Sequence, residues 1–100
     1  MEITERKLLT IVAESVLEPR LIEVVDKMGA VGYTITDARG SGSRGARSAG
    51  WTHNGNIRFE VICTGEIADR IAAHLREHYY ANYAMVLFIT DVGVMRPDKF

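Results

Sequence analysis

Strand-type and helix-type hydrophobic periods alternate along this chain in an order that leaves few folds open. Lys7–Ala13 reads Lys-Leu-Leu-Thr-Ile-Val-Ala, a short apolar run rich in branched residues that suits a buried strand. Leu17, Leu21, Val24, Val25 and Met28 then recur at helical spacing, with Glu18, Arg20, Glu23 and Lys27 between them. Gly29 is placed to stop that helix as a left-handed cap. Ser15 and Glu18 have the spacing of a capping box. That box would put Pro19 at the fourth helical position, where its missing N–H is felt, so the expected start lies a residue or two later.

Tyr33–Arg39 alternates and is β-prone, which gives a second strand. In Asn56–Thr64 the residues Ile57, Phe59, Val61 and Cys63 face one way, and Arg58, Glu60, Ile62 and Thr64 the other. Glu66–Tyr80 is a second amphipathic helix, with Ile67, Ile71, Leu75 and Tyr79 on one stripe and Ala68 and Ala72 beside it. Met85–Val92 is a fourth strand, apolar on both faces. The order is β-α-β-β-α-β, and 100 residues suffice for one core but not two. The expectation is a single α+β domain over 1–100, a ferredoxin-like four-stranded antiparallel sheet with two helices on one face. Leu8, Leu9, Ile11 and Val12, with Val86, Leu87, Phe88 and Ile89, make the first and last strands apolar on both sides. Two helices cover one face only, so a homo-oligomer is expected to cover the other, with a heterologous partner as the alternative.

Charge and cysteine content narrow the function. The net charge of -1 gives no global attraction for nucleic acid or anionic membrane, so any basic feature must act locally. One cysteine, Cys63, permits no intramolecular disulfide. The start of the chain lacks the order of a signal peptide, and no apolar run approaches the roughly 20 residues of a membrane span. A cytoplasmic protein is expected.

Gly40–Gly55 has no hydrophobic period and reads as a long loop, of a length that in compact domains tends to be functional. Within it, Gly40-Ser-Gly-Ser-Arg-Gly-Ala-Arg-Ser-Ala-Gly50 combines three residue types suited to phosphate. Glycines let backbone N–H groups approach an anion, Arg44 and Arg47 offer bidentate charge-assisted bonds, and Ser43 and Ser48 add hydroxyls. The alternative is a solvated loop. No Gly-Lys-Ser/Thr follows, so it is not a Walker A loop, and it opens between two strands, unlike a dinucleotide fingerprint. Catalytic patterns are weak. His74 and His78 have the i, i+4 spacing of a metal pair, but no third ligand is apparent and a solvated helix face accounts for them. Trp51 is either a lid or interface anchor, or a residue packing down the loop.

Gly32-Tyr-Thr-Ile-Thr-Asp-Ala-Arg-Gly-Ser-Gly42 resembles the stretch of PII signalling proteins that runs through the second strand into the T-loop. Its continuation, Gly42-Ser43-Arg44-x-x-Arg47-Ser48, is similar to the PII-like carbon-regulatory branch, the SbtB and carboxysome-associated CPII proteins. The resemblance covers roughly Lys7 to the C-terminus and implies a trimer whose sheets line the interior. It also implies nucleotide sites between subunits. Thr34 would meet the adenine with Gly32 and Tyr33 beside it. Gly40, Gly42, Ser43, Arg44, Arg47 and Ser48 would hold ribose and phosphates, strand Arg58–Thr64 would line the base, and Arg96 would add a contact from the tail.

The implied effectors are adenine nucleotides (AMP, ADP, ATP, cyclic AMP), with bicarbonate in the CPII group and no metal required. The T-loop, about 41–55, would change order with ligand state and meet the target through Ala46, Ala49, Trp51 and His53. The implied target is a membrane bicarbonate transporter or carbon-fixation machinery, with recruitment to the membrane by a transporter. The implied role is a non-catalytic sensor regulating inorganic-carbon uptake or carboxysome function.

Three departures refine this. Where nitrogen-regulatory PII proteins carry a Gly-x-Gly-Lys turn, this chain has Asn82-Tyr83-Ala84-Met85-Val86, which favours AMP, ADP or cyclic AMP over tightly held ATP. No tyrosine lies between Gly40 and Gly55, so uridylylation is not expected there. With Cys63 alone, redox control through a cysteine-bearing extension is not expected either. A slow nucleotide-hydrolysing enzyme and a metal-responsive PII-like module using His53, His74 and His78 remain the competing readings.

Overall fold

The computed structural model describes residues 2–40 and 55–100. Its elements run β1 (Thr4–Glu14), α1 (Glu18–Lys27), β2 (Thr34–Ala38), β3 (Asn56–Cys63), α2 (Gly65–Tyr79) and β4 (Val86–Val94). The strands form one antiparallel sheet in the order β2-β3-β1-β4. This is the expected ferredoxin-like arrangement.

β1 is longer than its apolar run because both neighbours pair with it, β3 from Lys7 to Glu14 and β4 from Thr4 to Val12. Cross-strand bonding carries the strand over Thr4–Arg6, where hydrophobicity alone gives no signal. Leu9, Ile11 and Ala13 are fully buried, and their partners Val61, Phe59 and Ile57 on β3 are buried with them. Leu21, Val24 and Val25 of α1, and Ala68, Ile71, Leu75 and Tyr79 of α2, join the same cluster. One core therefore lies between the helices and one face of the sheet.

Pro19 decides how α1 begins. Ser15–Leu17 form a 3-10 turn, the helix follows from Glu18, and proline falls in its first turn, where no intrahelical donor is lost. The capping box does not form: Ser15 gives its N–H to the Gly55 carbonyl at 3.1 Å, and the helix N-cap Leu17 has no side-chain bond. Gly29 ends the helix at φ +95°. The Gly29 N–H donates to the Asp26 carbonyl and the Ala30 N–H to the Val25 carbonyl, the paired bonds of a Schellman cap. At α2, Thr64 leaves the strand to cap the helix, accepting the Ile67 N–H at 3.4 Å.

Neither α1 nor α2 covers the second sheet face. By register it presents Leu8, Thr10 and Val12 of β1, Val86, Phe88 and Val92 of β4, and Arg58, Glu60 and Ile62 of β3. Val86 and Phe88 are 45% and 43% exposed, as expected of apolar side chains with no covering layer. Thr10 differs: it is sealed in the chain, and its hydroxyl has no hydrogen-bond partner among the described residues. An unpaired buried hydroxyl costs about 1–3 kcal/mol, and valine has nearly the same shape. Thr10→Val is therefore expected to raise the unfolding free energy in urea by about 1–2 kcal/mol. A fall in stability would show that the hydroxyl is paired in solution.

Candidate functional site

The end of the β2–β3 hairpin sets the site's position. Its last pair is Ala38–Asn56, and Arg39, Gly40 and Gly55 lie just past it. The return is pinned by the Ser15–Gly55 hydrogen bond, and Gly55 takes φ +64°, a conformation glycine reaches without penalty. Gly42, Ser43, Arg44, Ala46, Arg47, Ser48, Ala49, Trp51 and His53 lie outside the described residues.

At the other end of β2, Gly32 precedes the strand, and a Cβ built there would meet no atom of the described residues within 4 Å. Open space therefore borders the backbone at this position. Tyr33 stacks on Phe59, with ring centres 5.0 Å apart and planes 24° apart, while the tyrosine remains 41% exposed. The stack ties the β2 entry to the core and leaves one ring edge in solvent. Thr34 is exposed and directly opposite Glu60. Gly40 is exposed, again with nothing within 4 Å of a built Cβ.

Arg58 stands on the open sheet face. Its Nε donates to Glu60 Oε2 at 3.3 Å, and its guanidinium lies 5.9 Å from the centre of the Phe88 ring. Sequence reasoning marked Arg58 but not Glu60 or Phe88. The Glu60 contact was available from strand period, because residues two apart share a face. The Phe88 contact depends on β1 lying between β3 and β4, which local sequence does not reveal. Thr34, Glu60, Thr10 and Phe88 form one row across four strands. Thr36, Arg58, Val12 and Val86 form the next.

Arg96 is not brought to this row. It follows β4 at the end where Val94 pairs with Thr4, whereas Arg58 pairs with Val12. Eight residue steps along β1 separate those positions, about 27 Å. Within one chain Arg96 and Arg58 cannot hold the same small ligand.

Two further groups complete the electrostatics. Lys7 pairs with Asp91, whose hydrogen bond and negative charge raise the ammonium pKa. Burial pushes the Cys63 thiol up, away from the reactive thiolate. Among the described residues, no cluster of three or more histidine, cysteine, aspartate or glutamate side chains could hold a metal ion, and no helix is long and apolar enough to cross a membrane.

With this geometry in place, the comparisons fix the family. The nitrogen regulatory protein P-II family model matches residues 6–99. A protein of Thermus thermophilus, described as a PII-like signalling protein, is 45% identical to this chain. That match covers 100% of this chain and 99% of the other, with a TM-score of 0.85. CPII, a nitrogen regulatory PII-like protein from Thiomonas intermedia bound to ADP, AMP and bicarbonate, shares the fold at a TM-score of 0.90. It is 24% identical, over 99% of this chain and 96% of its own. Its apo form is similar at a TM-score of 0.78 and 19% identity, over 93% and 95% of the two chains. The chain belongs to the P-II family and is a PII-like signalling protein.

Two outcomes test the description of this region. The exposed Arg58–Glu60 pair and the Phe88 contact should each contribute about 1 kcal/mol or less, so Arg58→Ala should shift the urea midpoint only slightly. Cys63 should react with a disulfide reagent only as fast as the chain unfolds, and a stoichiometric burst in native buffer would contradict its burial.

Proposed function

We propose that this protein is a non-catalytic adenine-nucleotide sensor, in which ADP or AMP binds between subunits at the base of the Gly40–Gly55 segment. Ligand state then sets that segment's conformation toward a target. The observation that carries the reading is the exposed β2 edge of the sheet. Gly32 borders open space and Tyr33 and Thr34 are exposed at its start, while the glycine-arginine segment follows its far end, so the two groups would serve one ligand from neighbouring subunits. Thiomonas CPII, with the same fold, is described bound to ADP, AMP and bicarbonate, which supports the same ligand class here.

Each chemical role follows from residue type. Tyr33 and Thr34 offer an aromatic edge and a hydroxyl suited to a purine, and Arg44 and Arg47 offer guanidinium forks suited to phosphate. Arg58 adds charge on the sheet face once Glu60 is displaced or shared. Arg96, about 27 Å along the sheet from Arg58 in its own chain, would serve the site of a neighbouring copy. The bare apolar face supports the same assembly: three copies packing these faces inward would remove Val86 and Phe88 from water. Bicarbonate is assigned as a co-ligand, and the regulated process as inorganic-carbon uptake or carboxysome function. Ala46, Ala49, Trp51 and His53 would present the ligand state to a bicarbonate transporter or carbon-fixation machinery from the cytoplasm.

Calorimetry with ADP, AMP, cyclic AMP and ATP tests the reading. Saturable binding is expected, and Arg44→Ala or Arg47→Ala should each weaken it at least tenfold, since a charged hydrogen bond contributes about 1.5–3 kcal/mol. Unchanged affinity in both variants would sink the phosphate assignment.

A further inference from the structure

The outer side of α2 carries a pair of groups that the nucleotide reading does not use. His74 and His78 are one helical turn apart, with ring centres 4.4 Å apart and planes tilted by 46°. The pair flanks the buried stripe: His74 follows Ile71 by three positions and His78 follows Leu75 by three. His74 is half-buried and His78 exposed, so one ring is restrained by packing and the other is free to adjust.

The geometry points to a two-histidine site for a late first-row divalent cation, such as Cu2+, Ni2+ or Zn2+, on this helix face. Residues at i and i+4 stand about 5–6 Å apart at Cβ, close enough for both imidazoles to reach one ion. With metal–nitrogen bonds of ~2.0–2.1 Å, two adjacent imidazole ligands hold their ring centres about 4.5–5 Å apart. The His74 and His78 ring centres stand 4.4 Å apart, close to that separation. Neutral imidazoles supply the donor type these ions prefer, and Cu2+ should bind most tightly.

Among the described residues, no third histidine, cysteine, aspartate or glutamate joins the pair. The remaining coordination positions therefore open to water or to a donor from another molecule. Such a site is exchangeable and not a folding requirement, unlike a closed four-ligand centre. It also lies on a helix and not on the strand row of Thr34 and Arg58, so metal and nucleotide can be measured independently.

The test uses untagged, chelator-treated protein titrated with Cu2+ and with Zn2+ in a non-coordinating buffer. The expected result is one ion per chain, with His74→Gln and His78→Gln each weakening Cu2+ binding at least tenfold. His53→Gln, which changes the remaining histidine, should leave it intact. Both helix variants change side chains at the margin of the buried stripe, and circular dichroism confirms their folding. Undiminished binding in the His74→Gln/His78→Gln double variant would overturn the site. So would loss in only one of the two single variants, loss in His53→Gln, or no saturable uptake of either metal.

Discussion

Period-2 alternation along β1 commits its two faces to different partners, and the rest of the molecule follows from that division. Leu9, Ile11 and Ala13 point toward the helices and are fully buried, while Leu8, Thr10 and Val12 belong to the opposite face. Because β1 is bonded on both sides, its register fixes where every side chain of β3 and β4 falls. A slip of one residue would put Thr10 in the helix-facing core and expose Leu9 and Ile11. The apolar load on the helix face makes that slip costly: a buried leucine or isoleucine contributes roughly 1.5–3 kcal/mol relative to exposure. The same register sets Arg58 within reach of Phe88, so that contact of the candidate site inherits its geometry from the core.

Local signals were legible where one physical effect dominated. Gly29 announced a left-handed cap, and the two Schellman bonds are what such a cap requires. Pro19 correctly argued against the Ser15 capping box, because its ring and missing N–H favour the first turn of a helix. Legibility failed where a cross-strand bond overrode composition. Thr4–Arg6 look polar, yet β4 extends β1 through them. Gly93 and Val94 continue β4 past the apolar run for the same reason. Thr64 could be read as a strand residue by alternation, but the demand of α2 for an N-terminal acceptor drew it out.

The candidate site was legible in outline and not in its contacts. Gly32, Tyr33 and Thr34 could be singled out as a stretch, but the Tyr33–Phe59 stack joins residues on different strands and needs the β2–β3 register to be known. Glu60 was placed on the Arg58 side of β3 by alternation, but its pairing with Arg58 was not drawn from it. In the sheet it accepts a hydrogen bond from the Arg58 guanidinium. A phosphate that engaged Arg58 would therefore replace one anionic partner with another. That exchange gives less affinity than capture by a free arginine and more discrimination by ligand geometry.

The 27 Å between Arg96 and Arg58, roughly eight strand steps, has a consequence for how ligand and assembly are linked. A site that draws on both must span two chains. A ligand seated there is bound by the oligomer and not by the separated subunit, so it stabilises the assembly by mass action in proportion to its occupancy. Under the proposed function the exposed sheet face and the nucleotide site would act in the same direction: the first would supply apolar area for copies to bury together, and the second would make that burial depend on ligand. Neither requires the helices to move. The hairpin end at Ala38–Asn56 is tied to Ser15 through Gly55, which fixes both ends of the hairpin against the start of α1. Under the proposed function, ligand information would leave the sheet through one segment, and what that segment would report is the occupancy of an interface.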